Sequence, residues 1–424
     1  MYTLGKQSDK GLQKLLTRVA EETDYYRKLF SVCKGQKEIH KLPDFPFLDQ
    51  QMVQRECRSF LCSRYQRFPD IEYLLLKRSF GLSGIPLEAY WDSRDDVCSQ
   101  AFLWGYRKER FQITPDDKYC VFRTAEYAGN KIMDDMPKRL SRDGKILSFS
   151  MLDLSVERLQ WCLDAIRSFE PAWICMPPSI AWMLAEQLTT DGQELPASLR
   201  YLELYGEMAD MQVEGSIRDA FQVPTGKVYA TQETGVVAAS CTHGHLHIFP
   251  ENVLVEIIRD GRPVVDKAGD IFITSLKNTA MPFIRLKTGD CGVLQSAACP
   301  CGQLSPVLHL TQGRKCSFIN TVSGRKISAF LLRSLTEYTN EEISRCLAYI
   351  KFRQKSFCHM DVVLAAKPAF SGWEKETARI FLEKIQDMEL RQMQWNFMFT
   401  DSHKLEEIKM DADPFFESWV GGES

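Results

Sequence analysis

The sequence lacks any apolar run that approaches the ~18 residues a membrane-spanning helix needs. It also lacks an apolar segment near its beginning that would serve as a secretion signal. Neither sign of charge is in excess, because 53 Lys and Arg residues are balanced by 56 Asp and Glu residues for a net charge of −3. This balance gives no support to a broad basic face for nucleic acid. We therefore expect a cytoplasmic protein with neither a membrane nor a nucleic acid among its partners.

Cysteine is not scarce, but the 14 cysteines are spread over 424 residues. Disulfide frameworks belong to small secreted domains, whereas a reducing cytosol leaves cysteines as buried apolar side chains. The proportions of hydrophobic and charged residues, 44% and 26%, are those of an ordinary globular protein. A single core seldom grows beyond ~250–300 residues, so we expect one large domain and one smaller domain.

The pattern of apolar residues predicts a helix over residues 12–29, a loop rich in proline, and a second helical segment up to about Cys62. From about Ile71 onward, short apolar strands alternate with helices such as 159–169, which favours an α/β domain. Residues 253–294 contain short strands with turn residues between them, which indicates a smaller β-rich subdomain.

The pattern changes again near residue 314. The elements predicted there are a helix at 329–337, strands at 346–352 and 359–365, a helix at 373–386 and a strand at 394–399. The predicted fold class is therefore α/β. A large domain at 1–313 contains mixed sheets with helices and the β-rich subdomain, and a small mobile α+β domain occupies 314–424.

A loop rich in glycine and serine, Arg78-Ser-Phe-Gly-Leu-Ser-Gly84, lies between two extended segments. Small residues let backbone N–H groups converge on a phosphate, and the hydroxyls add further donors. The loop lacks the Gly-Lys-Ser/Thr ending of a Walker motif, so an ordinary turn is the alternative interpretation.

Two further motifs, Leu204-Tyr-Gly-Glu207 and Val228-Tyr-Ala-Thr-Gln-Glu-Thr-Gly235, come at predicted strand ends, where ligands of α/β sheets gather. An aromatic ring can stack on a base and a carboxylate can hold Mg²⁺, although each motif taken alone is explained more simply by a core tyrosine and a solvated glutamate. In Thr288-Gly-Asp290, the carboxylate either caps a turn or binds a ribose diol. Gly313-Arg314 lies at the predicted domain boundary, where a hinge belongs.

In this order the motifs resemble the adenylate-forming superfamily, and within it the phenylacetate–CoA ligase-like and capsular-polysaccharide-type branch. The resemblance covers nearly the whole chain and is densest from Gly269 to Asp290, followed by Cys299-Pro-Cys-Gly302. It implies a ligase that uses ATP and Mg²⁺ to activate a small carboxylic acid as acyl-AMP. The acyl group then passes to a thiol of coenzyme A or of a carrier protein's phosphopantetheine arm.

The resemblance also implies roles for individual residues. The phosphate loop would contain Ser79, Gly81, Ser83 and Gly84. The residues expected beside the rest of the nucleotide are Gly206, Glu207, Tyr229, Ala230, Thr231, Gln232, Asp290 and Arg314. The catalytic residues would be Glu233, which holds Mg²⁺, Arg314, and Lys404, whose charge stabilises the negative charge that develops at the α-phosphate. Lys315 would be the hinge.

The chain departs from the family pattern at several of these motifs. The phosphate loop lacks the family's paired threonines and usual lysine and has Leu82 and Ile85 instead, and Lys315 follows Gly-Arg in place of an acidic residue. His403 precedes the expected lysine in place of glycine, and Lys409 is a rival for its role. Two alternatives therefore remain, a ligase whose acceptor is an amine or hydroxyl, and a non-catalytic nucleotide-binding protein.

The residues expected against the carboxylic acid are Tyr127, Tyr205 and Gly235. Aromatic side chains commonly line apolar ligand pockets, whereas Glu126 would instead suit an amino group. The acid is thus an aryl, acyl or amino acid.

A metal centre is predicted from Cys241-Thr-His-Gly-His-Leu-His247 and Cys299-Pro-Cys301. Two cysteines in Cys-x-Cys together with a Cys/His cluster can build a closed tetrahedral site for structural Zn²⁺. Cys241, His247, Cys299 and Cys301 are the preferred ligands, with His243 or His245 as substitutes. Buried free cysteines beside surface histidines are the alternative.

Overall fold

The computed structural model describes residues 6–32, 41–66, 73–80, 86–124, 127–128, 131–132, 138–313, 315–343, 346–400 and 415–420. The helices are α1 (Lys6–Glu22), α2 (Asp24–Val32), α3 (Gln50–Arg55), α4 (Ser93–Phe111), α5 (Val156–Phe169), α6 (Pro178–Asp191), α7 (Met211–Phe221), α8 (Phe330–Glu342), α9 (Glu374–Lys384) and α10 (Met388–Arg391). The strands are β1 (Leu75–Phe80), β2 (Pro86–Trp91), β3 (Tyr119–Arg123), β4 (Tyr127–Ala128), β5 (Lys131–Ile132), β6 (Lys138–Leu140), β7 (Ile146–Ser150), β8 (Trp173–Met176), β9 (Tyr201–Tyr205), β10 (Thr225–Thr231), β11 (Gly235–Ser240), β12 (Leu246–Ile248), β13 (Val253–Arg259), β14 (Arg262–Val264), β15 (Gly269–Ser275), β16 (Leu286–Gln295), β17 (Val307–Gln312), β18 (Phe318–Asn320), β19 (Lys326–Ser328), β20 (Leu347–Ser356), β21 (His359–Ala366), β22 (Gln394–Phe399) and β23 (Phe416–Ser418).

Side-chain caps determine where several helices begin. The carboxylates of Asp92 and Asp210 accept hydrogen bonds from backbone N–H groups in the first turns of α4 and α7, and the Ser155 hydroxyl does the same for α5. Asp and Ser are preferred there because their oxygens satisfy backbone donors that the helix itself leaves without a partner. The helix predicted at 159–169 is accordingly observed as α5.

The N-terminal helices differ from the prediction. The helix predicted over 12–29 is divided into α1 and α2 at Thr23, whose backbone bridges to Cys62 and whose hydroxyl donates to the carbonyl of Val19. The segment predicted as helical up to Cys62 contains the short α3 followed by 3-10 turns. The Cys62 amide donates at 2.9 Å to the carbonyl of Ala280, a long-range bond that a helix continued to Cys62 would not allow.

The first of two compact units comprises Met1–Ser79, Leu87–Gln112 and Gly226–Gly313. Its main sheet is antiparallel, with strand order β14-β13-β15-β16-β17-β12-β11-β10. Buried Val, Ile and Leu side chains from these strands form one of its cores. The β-rich subdomain predicted at 253–294 is therefore part of a larger sheet, because β16 pairs with β17 and the pairing continues through β12 to β11.

The second unit comprises Phe80–Pro86, Ile113–Thr225 and Arg314–Ser424. It contains a parallel sheet with strand order β9-β8-β3-β7, next to which β6 is antiparallel, and a separate sheet with order β22-β21-β20-β23. One hydrophobic core includes side chains from both sheets and from α5 to α9. Nearly all residues of α8 from Phe330 to Asn340 are buried, as is typical of a helix enclosed by a core.

The predicted domain boundary between residues 313 and 314 coincides with one boundary between the two units. The elements predicted after it are observed as α8, β20, β21, α9 and β22. They share a hydrophobic core with residues 113–225, so the second unit is not the C-terminal segment alone. The division into domains at 1–313 and 314–424, and the mobility of the latter, stay predictions.

Candidate nucleotide site and metal centre

Tyr229 and Asp290 meet in the first unit, although their strands, β10 and β16, are not neighbours in the sheet. The Tyr229 hydroxyl donates to a carboxylate oxygen of Asp290 at 2.8 Å. Asp290 is presented by a bend in which Gly289 has a φ of +90°, a conformation that glycine adopts without strain. The backbone N–H of Asp290 donates to the Thr288 hydroxyl at 3.1 Å, which closes the bend. Two residues predicted to contact the nucleotide are thus brought together.

Arg285, three residues before Thr288, anchors the segment that leads into this bend. Its guanidinium is buried and donates two hydrogen bonds of 3.0 Å to the carboxylate of Glu256, and a third of 3.1 Å to the carbonyl of Phe45. The backbone of Arg285 in turn accepts a bond of 2.9 Å from Leu48. Burial raises the pKa of Glu256, and the positive charge of Arg285 opposes that rise. The segment that leads into Thr288-Gly-Asp290 is therefore held on two sides.

Ser79 and Glu233 form a second pair in the first unit. The Ser79 hydroxyl, at the end of β1, donates to a carboxylate oxygen of Glu233. The loop that carries Glu233 is closed by Thr231, whose hydroxyl accepts from the Thr234 amide at 3.0 Å. Ala230 precedes this turn in β10, next to an irregularity in the pairing with β11. The predicted phosphate-loop serine and the predicted Mg²⁺ ligand are thus in direct contact.

Gly235 and Gln232, on either side of Glu233, contact other parts of the first unit. Gly235 is buried with a φ of +81°, and a Cβ added there would collide with the Ser99 hydroxyl. Packing therefore requires glycine at this position. Gln232 is exposed, and its backbone carbonyl accepts a hydrogen bond from the indole of Trp91 at 2.9 Å.

Gly206 and Glu207 follow β9 in the second unit. Gly206 has a φ of +81°, and a Cβ there would lie 3.2 Å from the ring of Phe330 in α8. The Glu207 carboxylate accepts from the Ser179 amide at the start of α6 at 3.1 Å, and from the Cys316 thiol at 3.6 Å. Burial raises the pKa of Glu207 to about 7, against the opposing effect of its hydrogen bonds to Ser179.

Three other predicted residues also lie in the second unit. Lys315 forms a backbone bridge with Met208, the residue that follows Glu207 in the chain. The Tyr205 hydroxyl donates to the backbone carbonyl of Phe122, and burial raises the pKa of this tyrosine. Tyr127 begins β4, which pairs with β5. The predicted residues Gly81, Ser83, Gly84, Arg314 and Lys404 lie outside the described part of the chain.

The four preferred metal ligands lie together in the first unit. One ligand atom from each of Cys241, His247, Cys299 and Cys301 falls within 4.8 Å of all the others. The sulfurs of Cys241 and Cys299 are 3.8 Å apart, and the Cys301 sulfur is 3.3 Å from Nε2 of His247. A tetrahedral Zn²⁺ with ordinary bond lengths would place two sulfurs ~3.8 Å apart and a sulfur ~3.5 Å from a nitrogen. The donor set therefore fits zinc.

The orientation of His247 agrees with a role as ligand. Its Nδ1 lies 3.0 Å from the carbonyl of Ser305, a distance at which Nδ1–H donates and leaves the Nε2 lone pair directed at Cys301. Histidines that bind metal usually donate their second N–H in this way. Burial lowers the pKa of His247 and so favours the neutral ring. His245 lies 3.3 Å from Cys299 but is not one of the four mutually close residues.

The chain is similar to known proteins in sequence and in fold. No family model matches the chain. A phenylacetate–coenzyme A ligase from Thermus thermophilus is 24% identical in an alignment 334 positions long, which covers 72% of this chain and 69% of that protein. The solved structure of 2-hydroxyisobutyryl-CoA ligase with 2-HIB-AMP and CoA in the thioesterification state covers 98% of this chain and 90% of its own, with a TM-score of 0.62 at 16% identity. The chain has the fold of the adenylate-forming ligases.

The same ligase in an open conformation, with 2-HIB-AMP and CoA, matches 93% of this chain and 87% of its own with a TM-score of 0.56 at 15% identity. At these low sequence identities, the two solved structures show similarity in fold alone. The Thermus protein is similar in sequence as well. The predicted fold class, and the predicted adenylate-forming ligase that resembles the phenylacetate–CoA ligase-like branch, are confirmed.

Proposed function

We propose that the chain uses ATP to convert a small carboxylic acid into acyl-AMP and transfers the acyl group to the thiol of coenzyme A. The contact between Tyr229 and Asp290 is the observation that most supports this proposal, because it joins two nucleotide motifs that are remote in sequence. The contact between Ser79 and Glu233 supports it in the same way. Both pairs consist of polar side chains suited to a sugar and to phosphates.

The first step joins the acid to the α-phosphate. A carboxylate oxygen of the acid forms a bond to the α-phosphorus, and the bond from that phosphorus to the bridging oxygen breaks, so pyrophosphate leaves. The two oxygens of Asp290 suit the two hydroxyls of a ribose, and Tyr229 beside them offers a flat ring to the adenine. Glu233 would hold Mg²⁺, which offsets the charge of the phosphates when bound.

The second step transfers the acyl group. A thiolate forms a bond to the acyl carbon, and the bond from this carbon to the phosphate oxygen breaks, so AMP leaves. The names of the Thermus relative and of the solved 2-hydroxyisobutyryl-CoA ligase both specify coenzyme A, which supports coenzyme A as the acceptor. A carrier protein's phosphopantetheine arm carries the same thiol and is the alternative acceptor. The acid is proposed to be an aryl, acyl or amino acid.

The reaction is tested by exchange of labelled pyrophosphate into ATP. With Mg²⁺ and a panel of aryl, acyl and amino acids, at least one acid is expected to support exchange that depends on both the acid and ATP. Coenzyme A, pantetheine and simple amines, added to preformed acyl-AMP, then identify the acceptor. A panel without any exchange, combined with no ATP binding by calorimetry, would contradict the proposal.

We also propose that Cys241, His247, Cys299 and Cys301 hold one structural Zn²⁺. Their separations suit tetrahedral coordination. Four protein ligands leave no open position, so the ion would support the fold without taking part in the reaction. It would link β12 and the turn that precedes it to the loop between β16 and β17.

Protein purified under reducing conditions without chelators is expected to contain about one zinc per chain by elemental analysis. Changing Cys301 to serine should remove most of that zinc, because serine is a poor ligand for this ion. The matched change of Cys358, an exposed cysteine elsewhere in the chain, should retain it. Wild-type protein without stoichiometric metal would contradict the zinc site.

The cytoplasm is the proposed location. None of the described cysteines forms a disulfide. In the part of the chain that the structure describes, no helix is both long and apolar enough to cross a membrane.

A further inference from the structure

Trp91, the last residue of β2, contacts the loop that carries Glu233, although no motif of the sequence pointed to it. The side chain is fully buried, and its indole N–H donates to the backbone carbonyl of Gln232 at 2.9 Å. Gln232 immediately precedes Glu233. The bond therefore fixes the peptide group between Gln232 and Glu233, and so limits the directions that the Glu233 side chain can take.

A second contact of Trp91 lies on the other side of Glu233. A Cβ added to Gly235 would lie 3.1 Å from the Cη2 atom of Trp91, so the ring packs against the backbone at this glycine. The indole thus touches the loop one residue before Glu233 and two residues after it. A side chain that brackets a residue in this way restricts the backbone more than either contact would alone.

Trp91 is itself held in place by charged neighbours. The ammonium group of Lys77, in β1, lies 4.4 Å from the centroid of the indole, within the range of a cation–π contact. Lys77 also pairs at 2.5 Å with Asp96 in the first turn of α4. The strands β1 and β2 form one small sheet, which contacts the Glu233 loop twice. The Ser79 hydroxyl of β1 contacts the Glu233 side chain, and the Trp91 indole of β2 contacts the backbone carbonyl of Gln232.

We propose that Trp91 is a positioning residue that holds the Glu233 loop in the conformation that binds Mg²⁺ and ATP. This inference rests on the proposed function, in which Glu233 holds Mg²⁺. Without the indole hydrogen bond, the loop would occupy the binding conformation for a smaller fraction of the time. The apparent affinity for the ion falls in proportion to that fraction.

The test compares Trp91→Phe with Trp395→Phe. Phenylalanine keeps an aromatic ring at either position but removes the N–H donor. Trp395 is a matched control because its indole also donates to a backbone carbonyl at 2.9 Å, that of Leu390 in the second unit. The measured quantity is the Mg²⁺ concentration that gives half-maximal pyrophosphate exchange at saturating ATP and acid.

This concentration is expected to rise about 3- to 10-fold in Trp91→Phe, which corresponds to the loss of one hydrogen bond. Exchange at saturating Mg²⁺ should be nearly retained, because the binding conformation is still reached. Trp395→Phe should leave the Mg²⁺ requirement unchanged. A role limited to general stability would lower the melting temperature without this split between Mg²⁺ affinity and maximal rate.

Hydrogen exchange of the peptide that spans residues 229–235 provides a second readout that needs no turnover. Exchange should be faster in Trp91→Phe than in the wild type and unchanged in Trp395→Phe. The inference is overturned if the active Trp91→Phe protein keeps its Mg²⁺ requirement, or if both variants shift it equally. A wild-type chain without pyrophosphate exchange would overturn the proposed function, and this inference with it.

Discussion

Replacing Lys404 with alanine is expected to slow acyl-AMP formation by about 10²- to 10³-fold, the usual effect of losing a charge that acts in the transition state. The negative charge on the α-phosphate grows as the carboxylate attacks, and a lysine delivered at that moment would stabilise it. Pyrophosphate exchange measures this half-reaction directly. ATP binding, measured by calorimetry, should be retained because the lysine is proposed to act on the transition state more than on bound ATP.

The second half-reaction separates this role from a general loss of activity. Transfer of the acyl group from chemically prepared acyl-AMP to coenzyme A should be nearly unchanged in Lys404→Ala. The neighbouring Lys409 provides the matched control, and Lys409→Ala should retain most of the exchange. If Lys409→Ala were the inactive variant, the catalytic lysine would be reassigned. If neither substitution had an effect, this part of the chain would not take part in adenylation.

Replacing Asp290 with alanine is expected to weaken ATP binding by about 1.5–3 kcal/mol, or roughly 10- to 150-fold in Kd, the range for hydrogen bonds to a charged group. The carboxylate is partly exposed and already accepts a bond from Tyr229, so its position is set before the ligand arrives. Calorimetric titration with ATP measures the change. Circular dichroism of the variant checks that it is folded.

Two companion variants show whether the effect is that of a direct contact. Tyr229→Phe removes the donor but leaves the Asp290 carboxylate, so a smaller loss of about 0.5–1.5 kcal/mol is expected. Asp270→Asn removes a nearby carboxylate that pairs with Lys287, at a position opposite Cys291 in the sheet. It should leave ATP affinity nearly unchanged. Equal losses in Asp290→Ala and Asp270→Asn would indicate a general electrostatic effect, and no loss in either would remove Asp290 from the nucleotide site.

Local patterns in the sequence were sufficient for most of the fold. The period of apolar residues predicted α5, α8 and the strands from β20 to β22, because burial of one face of a helix or strand depends on residues close together in the chain. The same reasoning predicted a continuous helix over 12–29. It was wrong there because contacts with a remote segment interrupt the helix at Thr23.

The sequence by itself was sufficient to predict the candidate nucleotide and metal residues, because motifs such as Thr288-Gly-Asp290 and Cys299-Pro-Cys301 are contiguous segments of the chain. Only the tertiary structure decided which of them meet. Tyr229 and Asp290 are 61 positions apart, Ser79 and Glu233 are 154 apart, and Trp91 reaches Gln232 across 141. Such contacts depend on strand order and register, which many residues with no role in the site establish together. For this reason Trp91, which no sequence motif includes, became visible only in the folded chain, as did the contacts of Arg285 with Glu256 and Phe45.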